Sequence, residues 1–389
     1  MKRFLLLLIL FAFITGFAFS YDYGLLTDQR FEFDNEAFVY YPIFIPWFSW
    51  DGGEGLSVYL SGILSLKYRS SKSGENDGWG SPALVPEISR FSARYRLQDN
   101  FFIEAGRITY SDCLGMTAYG LFDGVKIETG LPVGYLNAGL FFTGLLYKET
   151  AQIMMTETDA FNFVDKDNYF ASSRFFANAR YDLPIQEEYL LSLETLFQFD
   201  INGASDFLHS QYAQAMVEFF PQNKAGVAVG ALFELMERKN EVNAAFGALA
   251  RFRMDMPTEF DSGVRVTCKF TSGPFNDTSY AFAPVSSPAM GLIFSETISG
   301  LALISADYTA RLRGDLLADA ALSYFFRTYK DPLVDGSIYG CELQASVAWQ
   351  PYDDLRASLG CGLFFPGLGN IYADTKTLWK IKASIMMSF

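Results

Sequence analysis

The sequence predicts an all-β chain folded as a transmembrane antiparallel β-barrel of about sixteen strands (range 14–18), with short turns at one end and longer loops at the other. Three observations predict it. Half of the 389 residues are hydrophobic and 17% are aromatic, yet beyond residue 20 no run of about 20 apolar residues occurs. Apolar and polar residues instead alternate with period two in segment after segment, the mark of strands with two unlike faces. Tight turns and longer polar links then alternate between the segments. A sheet in hydrocarbon must close on itself, because every backbone N–H and C=O there needs a partner.

The elements follow in order. Residues 1–20 have the form of a signal peptide: Lys2 and Arg3, the apolar "FLLLLILFAFITGFAF", and small residues in "AFS" with cleavage after Ser20. In residues 21–54 the stretch "YYPIFIPWFSWDGGEG" carries Pro42 and Pro46, which disfavour a central strand. This segment is therefore expected as a periplasmic lead-in or small plug, leaving 55–389 for the barrel. Strands are expected at 55–70, 83–97, 101–110, 118–130, 133–148, 169–182, 189–202, 208–220, 225–238, 241–256, 261–272, 292–313, 315–329, 337–350, 355–366 and 377–389.

In the first, Leu56, Val58, Leu60, Leu64, Leu66 and Tyr68 share one face, and Ser57, Tyr59, Ser61, Ser65, Lys67 and Arg69 the other. In the last, Trp379, Ile381, Ala383, Ile385, Met387 and Phe389 oppose Lys380, Lys382, Ser384 and Ser388. The phase breaks around 105–107, where a bulge fits. "LQDN", "GLPVG", "DLPIQEE", "FPQNKAG", "DMPTEFD", "RGDL" and "QPYDD" make the tight turns. Tyr181, Tyr189, Phe219, Trp349 and Tyr352 gather toward that end, and Tyr68, Phe142 and Trp379 toward the other, as interfacial girdles do.

A barrel of this size encloses an aqueous bore, so its inward face selects what passes. Alternation places Arg90, Arg94, Arg96, Arg174, Arg251, Arg253, Arg265, Arg311, Arg313, Lys380 and Lys382 inward. It also places Lys269 there, with Glu194, Glu218 and Glu234 as inward acids. The whole chain carries −14, so a basic bore would stand against acidic loops. Two readings of that wall remain open: rings of Arg and Lys that favour anions, or an ion-paired lining without selectivity.

Other functions find little support. The one histidine, His209, lies beside Asp206 and Ser210 at the start of a strand, which suits a solvated rim residue better than a hydrolase centre. No HExxH, Walker A or paired CxxC occurs, and no cofactor or metal is implied. Cys113, Cys268, Cys341 and Cys361 are expected as free thiols. The acidic balance argues against nucleic acid.

With its signal peptide, alternating strands, short-turn and long-loop rhythm and terminal "MMSF", the chain resembles the bacterial outer-membrane porins over residues 55–389. "GRITYSD…GLFDG" (106–124) resembles strand–loop–strand segments of substrate-specific porins. The resemblance implies an outer-membrane location, contact with outer-membrane lipid, Phe389 as the signal read by the barrel-assembly machinery, and a homotrimer as the common assembly of sixteen-stranded porins. It also implies that the third outer loop folds inward and narrows the bore. In this count that loop is 149–168, with Glu157 and Asp159 facing some of Arg90, Arg94, Arg251, Arg253 and Arg311; the loop at 273–291 is the competing choice. The expected function is passive diffusion of small hydrophilic, anionic solutes. The alternatives are a transporter of hydrophobic compounds like the fatty-acid channels, and a surface adhesin or structural barrel.

Overall fold

Period-two alternation becomes a single closed antiparallel sheet. The computed structural model describes residues 20–53, 55–71, 78–79, 83–203, 206–221, 225–238, 241–274, 280–286, 288–331, 335–371 and 375–389. The expected signal peptide, up to residue 19, lies outside the described residues. The barrel strands are β1 (Ser20–Asp34), β2 (Ala37–Asp51), β3 (Leu56–Ser71), β4 (Ala83–Gln98), β5 (Phe101–Ser111), β6 (Tyr119–Gly130), β7 (Tyr135–Phe142), β8 (Arg174–Gln186) and β9 (Tyr189–Asp200). They continue as β10 (Leu208–Phe219), β11 (Ala225–Arg238), β12 (Glu241–Met256), β13 (Ser262–Thr271), β14 (Leu301–Arg313), β15 (Leu316–Arg327), β16 (Ile338–Tyr352), β17 (Leu355–Phe365) and β18 (Leu378–Ser388). Each pairs with its neighbours in the chain, and β18 pairs with β1 to close the ring. The pair Gly78–Trp79 extends the β3 ladder. Two short helices, α1 (Lys148–Ala151) and α2 (Glu157–Val164), sit in the β7–β8 connection.

The barrel thus has 18 strands, where the sequence suggested about sixteen. The difference is the segment 21–54, which forms the hairpin β1–β2 in the wall and is neither lead-in nor plug. The prolines did not prevent this. β2 pairs with β1 throughout, including Gln29↔Pro42 and Leu25↔Pro46. Toward β3 the ladder lapses only around each proline, between Tyr40↔Tyr68 and Ile43↔Ser65 and again between Phe44↔Leu64 and Trp47↔Ser61. Proline removes one donor, and the flanking pairs hold the register.

All-next-neighbour pairing sends alternate connections to opposite rims. Both described ends of the chain, Ser20 and Phe389, lie at the short-turn rim, where Leu25 and Phe389 exchange backbone hydrogen bonds of 3.0 and 2.9 Å. The faces invert those of a water-soluble protein. Outward Leu60, Leu140, Val229 and Leu359 are 49–67% exposed, whereas inward Ser192, Glu194 and Gln198 are at most 2% exposed. An apolar exterior around a polar interior is what a barrel in hydrocarbon requires. The largest buried apolar cluster lies inside the bore, where loops meet wall: Ile108, Phe122, Phe141, Phe176, Leu232 and Phe282 belong to it.

A loop-constricted bore and its basic wall

Two connections cross the bore. The first is the β5–β6 hairpin, which holds "GRITYSD…GLFDG". Gly106 (φ +130°) and Gly120 (φ +140°) take backbone conformations that other residues rarely adopt, and a Cβ at Gly106 would strike the Phe91 carbonyl. At this level β5 parts from β4. Their ladder ends at Phe91↔Arg107, while β5–β6 continues to Ser111↔Tyr119. The break in phase foreseen near 105–107 is a bend of the hairpin, with no slip in its own register.

The tip, 112–118, reaches the far wall. Asp112 gathers the backbone N–H groups of Leu114, Met116, Thr117 and Ala118 at 2.9–3.2 Å. Burial raises its carboxyl pKa, against the lowering pull of those donors. From β9, Glu194 accepts the Tyr110 hydroxyl at 2.6 Å, the Cys113 N–H at 2.7 Å and the Asn178 amide at 3.0 Å. The Gln214 amide donates to the Thr117 hydroxyl at 2.8 Å, and Leu114 comes so close to Gly230 that a Cβ there would collide.

The second crossing is the β13–β14 connection, 272–300. Its Ala283 N–H donates to Glu234 of β11 at 3.0 Å, and Val285 N–H to the Thr117 carbonyl at 2.7 Å. Further along, Leu292 and Phe294 N–H groups donate to the Glu342 carboxylate of β16 at 2.6 and 2.8 Å. This segment therefore spans from β11 to β16 and touches the infolded hairpin on the way.

The loop 149–168 does not play the expected part. Its Asp159 caps α2 and pairs with Arg174 at 2.5 Å, and Arg174 also holds Asp200 at 3.0 Å; all three side chains are buried. Glu157 is exposed and lies 3.5 Å from Arg238. Neither acid faces Arg90, Arg94, Arg251, Arg253 or Arg311. The cause is the miscounted hairpin. With β1–β2 in the wall, the third long-rim connection is 112–118, and it does fold inward.

The expected basic residues divide into groups. Arg90 pairs with Glu104 at 3.4 Å and Arg94 with Glu128 at 3.0 Å, with Lys126 between those acids. Lys380 and Lys382 reach Glu32 at 3.1 and 3.4 Å, on the strand that sequence reasoning left outside the barrel. Arg174 is buried. Arg313 clips Asp315 in the β14–β15 turn, where its side-chain hydrogen bonds hold the Asp315 carboxyl down at about 2. Arg96 and Arg311 are exposed near the short-turn rim.

Arg251, Arg253 and Arg265 come together. With Lys269 they line a cavity of about 560 Å³, which Glu218 and Asp307 also border and which Ala289 of the crossing loop roofs. Cross-strand pairing explains the cluster: Arg253↔Arg265 and Arg251↔Thr267 are neighbours on β12–β13. Among the described residues Arg253 pairs with Asp255 at 2.9 Å, and Arg251, Arg265 and Lys269 form no ion pair.

Sequence reasoning missed Asp112 as a loop organiser, Glu32 as a partner of the last strand, and Arg238, which lies 5.1 Å over the Tyr280 ring beside the crossing loop. An acid opening a glycine-bearing link between two strands was the available signal for the first. His209 packs between Phe199 and Phe207 and accepts the Asp200 N–H at 3.0 Å. All four cysteines are free.

A closed barrel of eighteen strands, apolar outside and constricted by infolded loops, defines the porin fold. Comparison with solved structures agrees. The chain is similar to OccK5 (OpdH) of Pseudomonas aeruginosa at 8% identity, covering 95% of this chain and 98% of that one, TM-score 0.63. The outer membrane protein OpdK of P. aeruginosa matches at 11% identity over 95% and 99%, TM-score 0.63, and OpdK with vanillate at 11% over 95% and 98%, TM-score 0.64. No family model and no curated protein matches the sequence. The chain has the fold of these bacterial outer-membrane porins.

Proposed function

We propose that this protein is an outer-membrane channel for small hydrophilic solutes with a preference for anions. The observation that carries the reading is the unpaired basic wall, Arg251, Arg265 and Lys269 on one cavity inside a closed barrel. Four cations against two carboxylates on one cavity leave an excess of positive charge, which draws anions. The short-turn rim, with Tyr21 and Phe389, faces the periplasm, the long loops face outward, and residues 1–20 are removed on export. Phe389 is the signal for barrel assembly. The similar OpdK was solved with vanillate, an aromatic carboxylate, and a cargo of that charge suits the cavity here.

Single-channel recording on refolded protein tests the proposal. In a salt gradient the reversal potential should report anion preference, and small carboxylates should interrupt the current. A barrel without conductance, or one that prefers cations, would refute the reading.

A further inference from the structure

Residues 83–90 of β4 pair with β3, from Lys67↔Ala83 to Ser61↔Arg90, but have no ladder partner on β5. Where the β5–β6 hairpin turns inward, it leaves a seam in the wall. Side chains and the β7–β8 connection close it. Arg107 donates to the Ile88 carbonyl and, at 2.9 Å, to the Leu145 carbonyl, and the Tyr169 hydroxyl donates to the Pro86 carbonyl. A two-point pair with Asp123, at 2.8 and 2.9 Å, fixes Arg107. Carbonyls that would otherwise face hydrocarbon without a donor are satisfied.

A cavity of about 390 Å³ remains in the seam, lined from both faces of β4. Pro86 and Ile88 belong to the outward face, and Ile88 is 53% exposed. Glu87, paired with Ile63, belongs to the inward face. Leu145 and Phe170 stand opposite, 56% and 49% exposed. The cavity thus meets both faces of β4, with an apolar outer side next to the exposed Leu84 and Phe91.

We propose that the seam binds a single-chain amphiphile with a neutral or cationic head. The tail enters from the bilayer along Ile88, Leu145 and Phe170. The head lies toward Glu87, which accepts the Thr150 hydroxyl at 3.1 Å and, among the described residues, forms no ion pair. Arg107 is committed to Asp123, so an anionic head finds an acid and no free base. The proposal rests on the membrane placement above and adds a ligand site to it.

Photolabelling in nanodiscs tests it with two probes that share a diazirine-tagged alkyl tail, a long-chain alcohol and a long-chain carboxylate. The alcohol should label the segment holding Leu145 and Phe170 severalfold above the segment holding Leu359, on uninterrupted wall. The carboxylate should not. Ile88→Trp, which fills the cavity, should bring seam labelling down to the Leu359 level, and Glu87→Gln should admit the carboxylate. Alcohol labelling of the seam no greater than at Leu359 overturns the proposal and leaves the membrane placement standing. Equal seam labelling by both probes overturns the assigned head group. Failure to label Leu359 at all would strike the membrane placement itself.

Discussion

On β9 and β11 the inward acids Glu194 and Glu234 each receive a backbone N–H from a connection that crosses the bore. On β12 and β13, Arg251, Arg265 and Lys269 face a cavity and, among the described residues, form no ion pair, although Asp307 stands across the ladder from Arg265. The two arcs are adjacent, built of the same alternating strands, and differ in the sign of charge. An infolded loop brings backbone N–H groups that must find acceptors once water is excluded, and carboxylates accept two or more at once. Guanidinium and ammonium groups only donate. On these two arcs the acids therefore anchor loops, and the bases carry no ion pair among the described residues.

The comparison can be broken where the acids are most buried. Arg174→Ala strands Asp159 and Asp200 without a cation and should destabilise the barrel by about 3–5 kcal/mol, read from the urea midpoint in micelles. Glu194→Ala removes the acceptor of Tyr110 and Cys113 and should cost about 1–3 kcal/mol for each group left unpaired. Its conductance should rise and grow noisy as the 112–118 tip loosens. An unchanged conductance would mean that the tip is held by Asp112 and apolar packing alone.

Arg251→Ala with Arg265→Ala should leave the urea midpoint nearly unmoved. Each removed charge takes away about 1 kcal/mol of attraction in a wet bore, so anion-over-cation permeability should fall several-fold in the reversal potential. If it holds, the free bases do not set selectivity. The smallest effect belongs to Asp315, an acid that serves a base instead of a loop. Its folded pKa of about 2 lies below the ordinary carboxylate value, so its contribution is present above about pH 4 and is lost as pH falls through 2. Asp315→Asn should lower the melting temperature slightly near neutrality and abolish that acid-side change, so that the two proteins converge in acid, as followed by a pH series of melting curves.

Much of this was legible in the chain. Period two placed Leu60 and Ile385 outside and Glu194 and Arg251 inside, because a strand's faces are fixed by parity alone. The hairpin β1–β2 was not legible, since two prolines in fifteen residues weigh against a strand and nothing local shows that β1 satisfies the other side. Partner choice was equally hidden. Lys380 and Lys382 read as free bases until register set Glu32 beside them, some 350 residues earlier in the chain. The segment 106–124 stands out in the sequence, but the direction of the hairpin depends on Gly106 and on carboxylates elsewhere on the ring.

The pairing of Leu25 with Phe389 has a consequence for assembly. The first strand stays an open edge until β18 arrives, with more than 300 residues of chain to gather between the two. Contacts so distant form late, and an unmated edge in the meantime invites the wrong strand. Closure thus waits on β18: a chain lacking that strand would present two raw borders where the closed ring presents none.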